Sequence, residues 1–285
     1  MDETKTDFTL KVATLNLHSG PDLYVERVTA AIIEAHVNNV DVVLVQEVRE
    51  TQRELLQQAF SRAGYSHSFI SEPVSAKSNP NNGSSTAIFS RKEMQTAREL
   101  NLTNLPGAQK AAVLVLDVNG YEIHIISAHL AWGAENGHLR LRQAMLIADY
   151  ARRVRLNNAD ALLVVGGTFN DTPESDSVRY LEGKKASDDS ASTFWLDATH
   201  DSEFEHTPTT RYDTTWGVET AKNTGILKPE MLPARKVDYI FTHGWVYGKA
   251  GMPLRTTLFG KETTPQGEAI SDHYGVATEI WLPKQ

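Results

Sequence analysis

The sequence predicts an α/β fold of two packed mixed β-sheets flanked by helices, and three observations support it. Strand-like and helical periods alternate from Thr9 to Ile70. Two short apolar runs, Asp41 to Gln46 and Ala161 to Val165, have the pattern of strands covered on both faces. The segments Ala111 to Asp117 and Tyr121 to Ala128 flank Asn119-Gly120, a strong two-residue hairpin signal. A chain of 285 residues with 40% apolar content can bury a full core. With no repeat of fixed period and no composition-marked linker, residues 1–285 are expected to form a single domain.

Thr9 to Leu17 alternates and is rich in β-formers, which predicts a strand that delivers Asn16 to its end. After Pro21, the positions Val25, Val28, Ala31, Ile32 and Ala35 recur at helical spacing. The strand Asp41 to Gln46 closes on Gln46-Glu47, so a second polar group arrives at a strand end. A helix is expected over Thr51 to Arg62, followed by a short strand from Ser66 to Ile70. Ser71 to Ser85, with Pro73, Pro80, Asn81, Asn82 and Gly83, reads as a mobile surface loop.

Thr86 to Arg91 is a further strand, and the hairpin that follows runs out at His129. From Leu139 to Leu156, the positions Leu141, Ala144, Met145, Ala148 and Val154 keep helical spacing. That spacing assigns Arg140, Arg142, Arg152, Arg153 and Arg155 to a solvated opposite face. The strand Ala161 to Val165 runs into the polar group Gly166 to Asp171, and Gly183 to Ser192 is expected to be flexible. Val237 to Phe241 forms a strand that includes Asp238, and Ser271-Asp272-His273 precedes another, Gly275 to Leu282.

A net charge of −8 and a pI near 5.7 argue against a surface built to coat a phosphate backbone, so nucleic acid is disfavoured as a partner. The chain has no cysteine, hence no disulfide, thiolate zinc site or cysteine nucleophile. Met1 to Lys5 lacks a signal pattern and no apolar run is long enough to span a bilayer. The expectation is a soluble chain, cytoplasmic or secreted with its signal peptide removed.

Asn16, Glu47, His129, Asn170, Asp238, Asp272 and His273 all fall at or beside strand ends. Any one of them alone is more often a cap or a turn residue. Their ordered segments are Thr14-Leu15-Asn16, Val45-Gln46-Glu47-Val48, Ile88-Phe89-Ser90-Arg91 and Ser127-Ala128-His129-Leu130. They continue with Gly167-Thr168-Phe169-Asn170, Val237-Asp238-Tyr239-Ile240-Phe241 and Ser271-Asp272-His273-Tyr274-Gly275-Val276. Together these resemble the endonuclease/exonuclease/phosphatase superfamily of Mg²⁺-dependent phosphoesterases, which includes repair endonucleases, sphingomyelinases and inositol-polyphosphate phosphatases.

The resemblance implies a four-layer α/β sandwich. It implies Glu47 as the principal ligand of Mg²⁺, with Mn²⁺ as the alternative ion, Asn16 beside it and Asp272 acting directly or through water. That sparse set suits an ion that keeps several waters. By the same resemblance, His273 contacts the phosphate or acts on the attacking water, and Asp238 sets its tautomer and ring orientation. His129 and Asn170 then donate to the phosphoryl oxygens.

The pattern departs from the family at Thr168, where the Gly-Asp-x-Asn segment carries the Asp that orients or deprotonates the water. Threonine cannot accept a proton at neutral pH, and loss of a positioned base costs about 10²–10⁴ in rate. Three explanations stay open: a substitution made to trap substrate, a relative that binds without efficient turnover, or a base reassigned to a residue such as Asp171 or His273. The clean alignment of Asn170 speaks against Asp171.

The expected function is metal-dependent hydrolysis of a small-molecule or lipid-headgroup phosphoester, impaired at Thr168. The alternatives are a DNA endonuclease or exonuclease of the same fold and a catalytically silent phosphate-ligand-binding protein. Ala131-Trp132-Gly133 and Trp245-Val246-Tyr247-Gly248 offer aromatic surface for peripheral lipid contact. Lys77, Arg91, Arg211, Lys222 and Lys228 are candidate phosphate contacts.

Overall fold

The computed structural model describes residues 8–73, 84–102, 110–186, 193–200, 202–223, 233–243 and 250–284. The chain opens with β1 (Phe8–Asn16), α1 (Tyr24–Val37), β2 (Val42–Val48), α2 (Arg53–Arg62), β3 (His67–Ile70) and β4 (Ser85–Ser90). It continues with β5 (Met94–Asn101), β6 (Lys110–Val118), β7 (Tyr121–His129), α3 (Gly137–Asn157), β8 (Leu162–Thr168) and α4 (Asp176–Leu181). Then come β9 (Leu196–Asp197), α5 (Thr215–Asn223), β10 (Asp238–His243), β11 (Pro253–Phe259) and β12 (Gly275–Leu282).

The strands form two six-stranded sheets, ordered β11-β12-β1-β2-β4-β3 and β5-β6-β7-β8-β10-β9. Each is mixed: β1–β2 and β7–β8 are parallel, and the other pairs are antiparallel. In the hairpin between β6 and β7, Asn119 and Gly120 both have positive φ, 55° and 87°, as the tight turn requires.

The two-residue period of a strand sorts the side chains into layers. Leu10 and Val12 of β1, Val42 and Leu44 of β2, Ile123 and Ile125 of β7, and Leu162 and Val164 of β8 form a dry cluster between the sheets. The alternate positions Ala13, Leu15, Val43 and Val45 pack under α1 and α2. Ile126, Leu163, Val165 and Phe241 pack under α3 and α4 in the same way. The order is therefore helices, sheet, sheet, helices, the four-layer sandwich that the resemblance implied. Each such aliphatic side chain contributes about 1.5–3 kcal/mol by leaving water, so the inner cluster is the main bond between the sheets.

The same period carries the inner face on to a polar end. Thr14 and Asn16 follow Val12, Gln46 follows Leu44, Ser127 and His129 follow Ile125, and Gly166 and Thr168 follow Val164. Cross-strand register lines up His129, Thr168 and Asp238 in one row of the second sheet. In the first sheet, Asn16 stands beside Gln46. Gly166 lets the sheets meet here, since a Cβ on it would lie 2.7 Å from Leu44 Cδ1. The Gln46 amide bridges the gap, donating to Thr14 Oγ1 and Ser127 Oγ, each at 3.1 Å.

Several elements differ from the sequence expectations. Strand β5 was not foreseen: its burial alternates weakly, because an edge strand needs no continuous apolar run. Edge strand β11 and the six-residue α4 escaped for the same lack of pattern. Val25 is 54% exposed rather than buried; Tyr24, Val28, Ala31 and Ala35 form the packed face of α1. Arg140 is not on the solvated face of α3. It is buried and paired with Asp171 at 2.8 Å, because α3 packs its first turn against the loop after β7. Residues 74–83 of the expected mobile loop and 187–192 of the expected flexible stretch lie outside the described residues, as does Trp245 to Gly248.

Candidate active site

At the polar end of the inter-sheet layer, two groups of side chains face each other. The first gathers on β1 and β2. Pairing between β2 and β4 is irregular between Val45 and Val48, and Glu47 sits in the left-handed region with φ 63°. That bulge turns the Glu47 carboxylate toward β1, where Oε1 accepts from Asn16 Nδ2 and Oε2 from the Ser19 N–H, both at 3.0 Å. Asn16 Oδ1 accepts in turn from the His18 N–H at 3.0 Å. The His18 ring lies 3.5 Å from Asp272 Oδ1 through Nδ1 and stacks on Trp216 at 5.7 Å between centroids.

The second group is a hydrogen-bonded chain. The Thr168 hydroxyl donates to Asp238 Oδ1 at 2.6 Å, and His273 Nδ1 donates to Asp238 Oδ2 at 2.8 Å. Thr168 and Asp238 are fully buried. The His273 N–H is anchored on Ser271 Oγ, which itself donates to Asp272 Oδ1. Asn170, with φ 54°, donates through Nδ2 to the Leu130 carbonyl at 2.9 Å, which ties the end of β8 to the segment beyond His129.

Electrostatics divides the imidazoles. Burial alone would lower His273, but the Asp238 carboxylate, its hydrogen bond, and the Asp272 and Glu47 charges raise it to about 10. His129 moves the other way, pushed down by burial and by the neighbouring His273 charge despite Glu47. His18 is raised: Asp272 and Glu47 outweigh the opposing effect of burial. For Glu47, burial acts upward, yet His129, His18 and the Asn16 amide leave its carboxyl below the ordinary value.

Arg27, from α1, fastens the loops that carry these groups. Its Nη1 donates to the carbonyls of Leu17, His18 and Ile270, the last at 3.2 Å, while Nε reaches Asp22 O at 3.1 Å and Nη2 reaches Gly20 O. The guanidinium also lies over Trp216, 5.0 Å from the centroid. Arg27→Met leaves the buried carbonyls of Leu17 and Ile270 without this donor, at about 1–3 kcal/mol for each one left unpaired, while the partly exposed carbonyls of His18, Gly20 and Asp22 can turn to water. Urea unfolding should therefore show a loss of about 2–6 kcal/mol; an unchanged midpoint would mean that the loops hold without it.

The structure thus brings Asn16, Glu47 and Asp272 to one side, and Thr168, Asp238 and His273 to the other, with His129 between them. His18, Ser19, Arg27, Gln46 and Trp216 were missed as site residues. Asn16 to Gly20 was visible as a polar group after a strand, but nothing local marked Arg27 or Trp216. Asp171 is committed to Arg140 and to Ser177 Oγ at 2.6 Å, so it is no free base. Arg91 stacks on Tyr65 and meets His36 at the opposite end of the sheet, away from Glu47, which removes it from the candidate phosphate contacts. Lys222 is exposed on α5, and Lys77 and Lys228 lie outside the described residues.

Among the described residues, no three His, Asp or Glu side chains converge as a closed metal cage. The available donors are the Glu47 and Asp272 carboxylates and the Asn16 amide oxygen. An all-oxygen set this small fits a hard divalent cation that retains water, such as Mg²⁺ or Mn²⁺.

The fold is a four-layer α/β sandwich with a cluster of polar side chains at one end of its inter-sheet layer. The sequence matches the profile of the Endonuclease/Exonuclease/phosphatase family over residues 13–273, and the chain belongs to that family. Members of the family are metal-dependent hydrolases acting on phosphoesters. TDP2 from C. elegans is similar in structure, with a TM-score of 0.69 at 17% identity over 96% of this chain and 75% of that one. D. rerio TDP2 complexed with a single-strand DNA product has a TM-score of 0.68 at 18% identity, covering 96% of this chain and 99% of that one. An endonuclease/exonuclease/phosphatase from Bacteroides vulgatus gives 0.69 at 18% identity, covering 96% and 99%. At these identities the likeness concerns the fold. No curated protein matches the sequence at a significant level.

Proposed function

We propose that the chain is a divalent-metal-dependent phosphodiesterase with an intact phosphate site and a weakened water-activating step. The observation that carries this reading is the pair of facing groups: an oxygen-donor cluster at Glu47, Asn16 and Asp272, and the Thr168–Asp238–His273 chain opposite. Glu47, Asn16 and Asp272 would hold the cation, which when bound supplies charge stabilisation of the phosphoryl oxygens.

His273, kept cationic by its carboxylate neighbours, donates to a phosphoryl oxygen; an imidazolium has no lone pair with which to take a proton from water. Asp238 holds the ring by accepting from Nδ1, which leaves Nε2 for the substrate. His129 and Asn170 complete the donor set. Thr168 spends its hydroxyl proton on Asp238, so no carboxylate stands where the family places its base.

The substrate class follows from two opposing observations. The net charge of −8 favours a small-molecule or lipid-headgroup phosphoester. The DNA reading is supported by the fold shared with D. rerio TDP2, whose structure holds a DNA product. Exposed Trp132 beyond β7 suits either a lipid interface or a base. Bis(p-nitrophenyl) phosphate, 5′-tyrosyl and nicked DNA, sphingomyelin and inositol phosphates, each incubated in Mg²⁺ and in EDTA, separate these. Release on at least one substrate, abolished by EDTA, is expected; release that survives EDTA sinks the metal assignment. Glu47→Gln should weaken Mg²⁺ affinity by about tenfold to a hundredfold, as loss of a carboxylate near an ion typically does, read by calorimetry on the full chain. Unchanged affinity would remove Glu47 from the ligand role.

A further inference from the structure

The rim of the site carries a cation that the roles above do not use. Residues 209–211 run as a short ribbon against 272–274: the Arg211 N–H donates to Asp272 O and the Tyr274 N–H to Thr209 O, both at 2.7 Å. Thr210 stands opposite His273 in an antiparallel bridge. The ribbon is pinned from its other side, where Thr209 and Thr210 donate to the Arg235 carbonyl. On this scaffold the Arg211 guanidinium lies over the Tyr274 ring, 4.2 Å from its centroid.

Its Nε is sealed from solvent without a hydrogen-bond partner, and among the described residues no carboxylate pairs with it. The chain has 36 acidic residues against 28 basic, so the missing counter-charge is no result of scarcity. A half-buried guanidinium without a partner gives up hydration that an aromatic face only partly restores. What it offers instead is a planar fork of donors, matched to phosphate or carboxylate, on a support already ordered.

We propose that Arg211, over the Tyr274 ring and one residue along from the Thr210–His273 bridge, binds a second anionic group of the substrate, next to the scissile phosphoester. This deepens the phosphodiesterase reading and rests on it. It makes Arg211 a specificity residue, with the preferred substrate carrying two negative groups a few bonds apart.

Calorimetry in Mg²⁺ on the full chain and on Arg211→Ala tests this with two ligand pairs: thymidine 5′-monophosphate against thymidine 3′,5′-bisphosphate, and inositol 1-phosphate against inositol 1,4-bisphosphate. In one pair the bisphosphate should bind about tenfold tighter to the native chain, as one charge-assisted contact allows. Arg211→Ala should erase that gain and leave the monophosphate affinity unchanged, and Arg211→Lys should recover part of it. The pair that shows the gain names the substrate class. If monophosphates bind and the second phosphate adds nothing, the proposal falls while the phosphodiesterase reading stands. Equal loss for both members of a pair in Arg211→Ala also overturns it, assigning Arg211 a structural role. If no monophosphate binds, the reading of the site itself fails, and the proposal with it.

Discussion

Thr168→Asp should raise phosphodiester turnover in Mg²⁺ by about 10²–10⁴, the usual worth of a positioned base. The native hydroxyl is a committed donor, 2.6 Å from Asp238 Oδ1 and fully buried. A carboxylate in its place meets Asp238 without a proton between them. Two carboxylates at that range do not both ionise readily, so one would titrate high. The gain should therefore grow as pH rises through that displaced value. It should also come with a lower melting temperature, by several degrees for about 1–2 kcal/mol lost. Single-turnover release of p-nitrophenol from bis(p-nitrophenyl) phosphate, followed across pH, measures both features. A variant no faster than the native chain at any pH would show that Thr168 is not what limits the reaction, and would favour a silent binding protein.

His273→Ala should lower whatever turnover the native chain has by about 10²–10⁴, since it removes the charged donor facing the phosphoryl group. A stability signature accompanies this change. The folded-state value of His273 is raised to about 10 from an ordinary 6.5. Its ion pair therefore contributes fully below about pH 6.5 and is lost as pH rises through about 10. In EDTA, the native chain should lose stability along that interval, while His273→Ala, lacking the group, should show a flatter profile from a lower plateau. Parallel profiles would detach His273 from Asp238; full activity in the variant would remove it from the site.

The strand ends were legible because the signals are local. A two-residue apolar alternation, interrupted by Asn16, His129 or Asp238, marks where an inner face turns polar, and neighbouring residues suffice to see it. Edge strands β5 and β11 gave no such signal: most of their side chains stay at least partly exposed, so sequences such as Met94 to Asn101 need no apolar face. Arg140 misled for a related reason. Helical spacing says which side of α3 it occupies, but only the loop after β7, folded back over that side, buries it.

The sequence by itself determined which polar residues stand at the strand ends and which position departs from the family, because motif order and strand-end placement survive without coordinates; it gave no sign of Arg27 or Trp216 beside them. Partnership was decided only in three dimensions. That Thr168 donates to Asp238, that His18 stands against Asp272, and that Arg211 rests on Tyr274 are consequences of how the strands and their connecting segments are brought together. Those join residues distant along the chain, and no local pattern of apolar and polar positions encodes the distance between them.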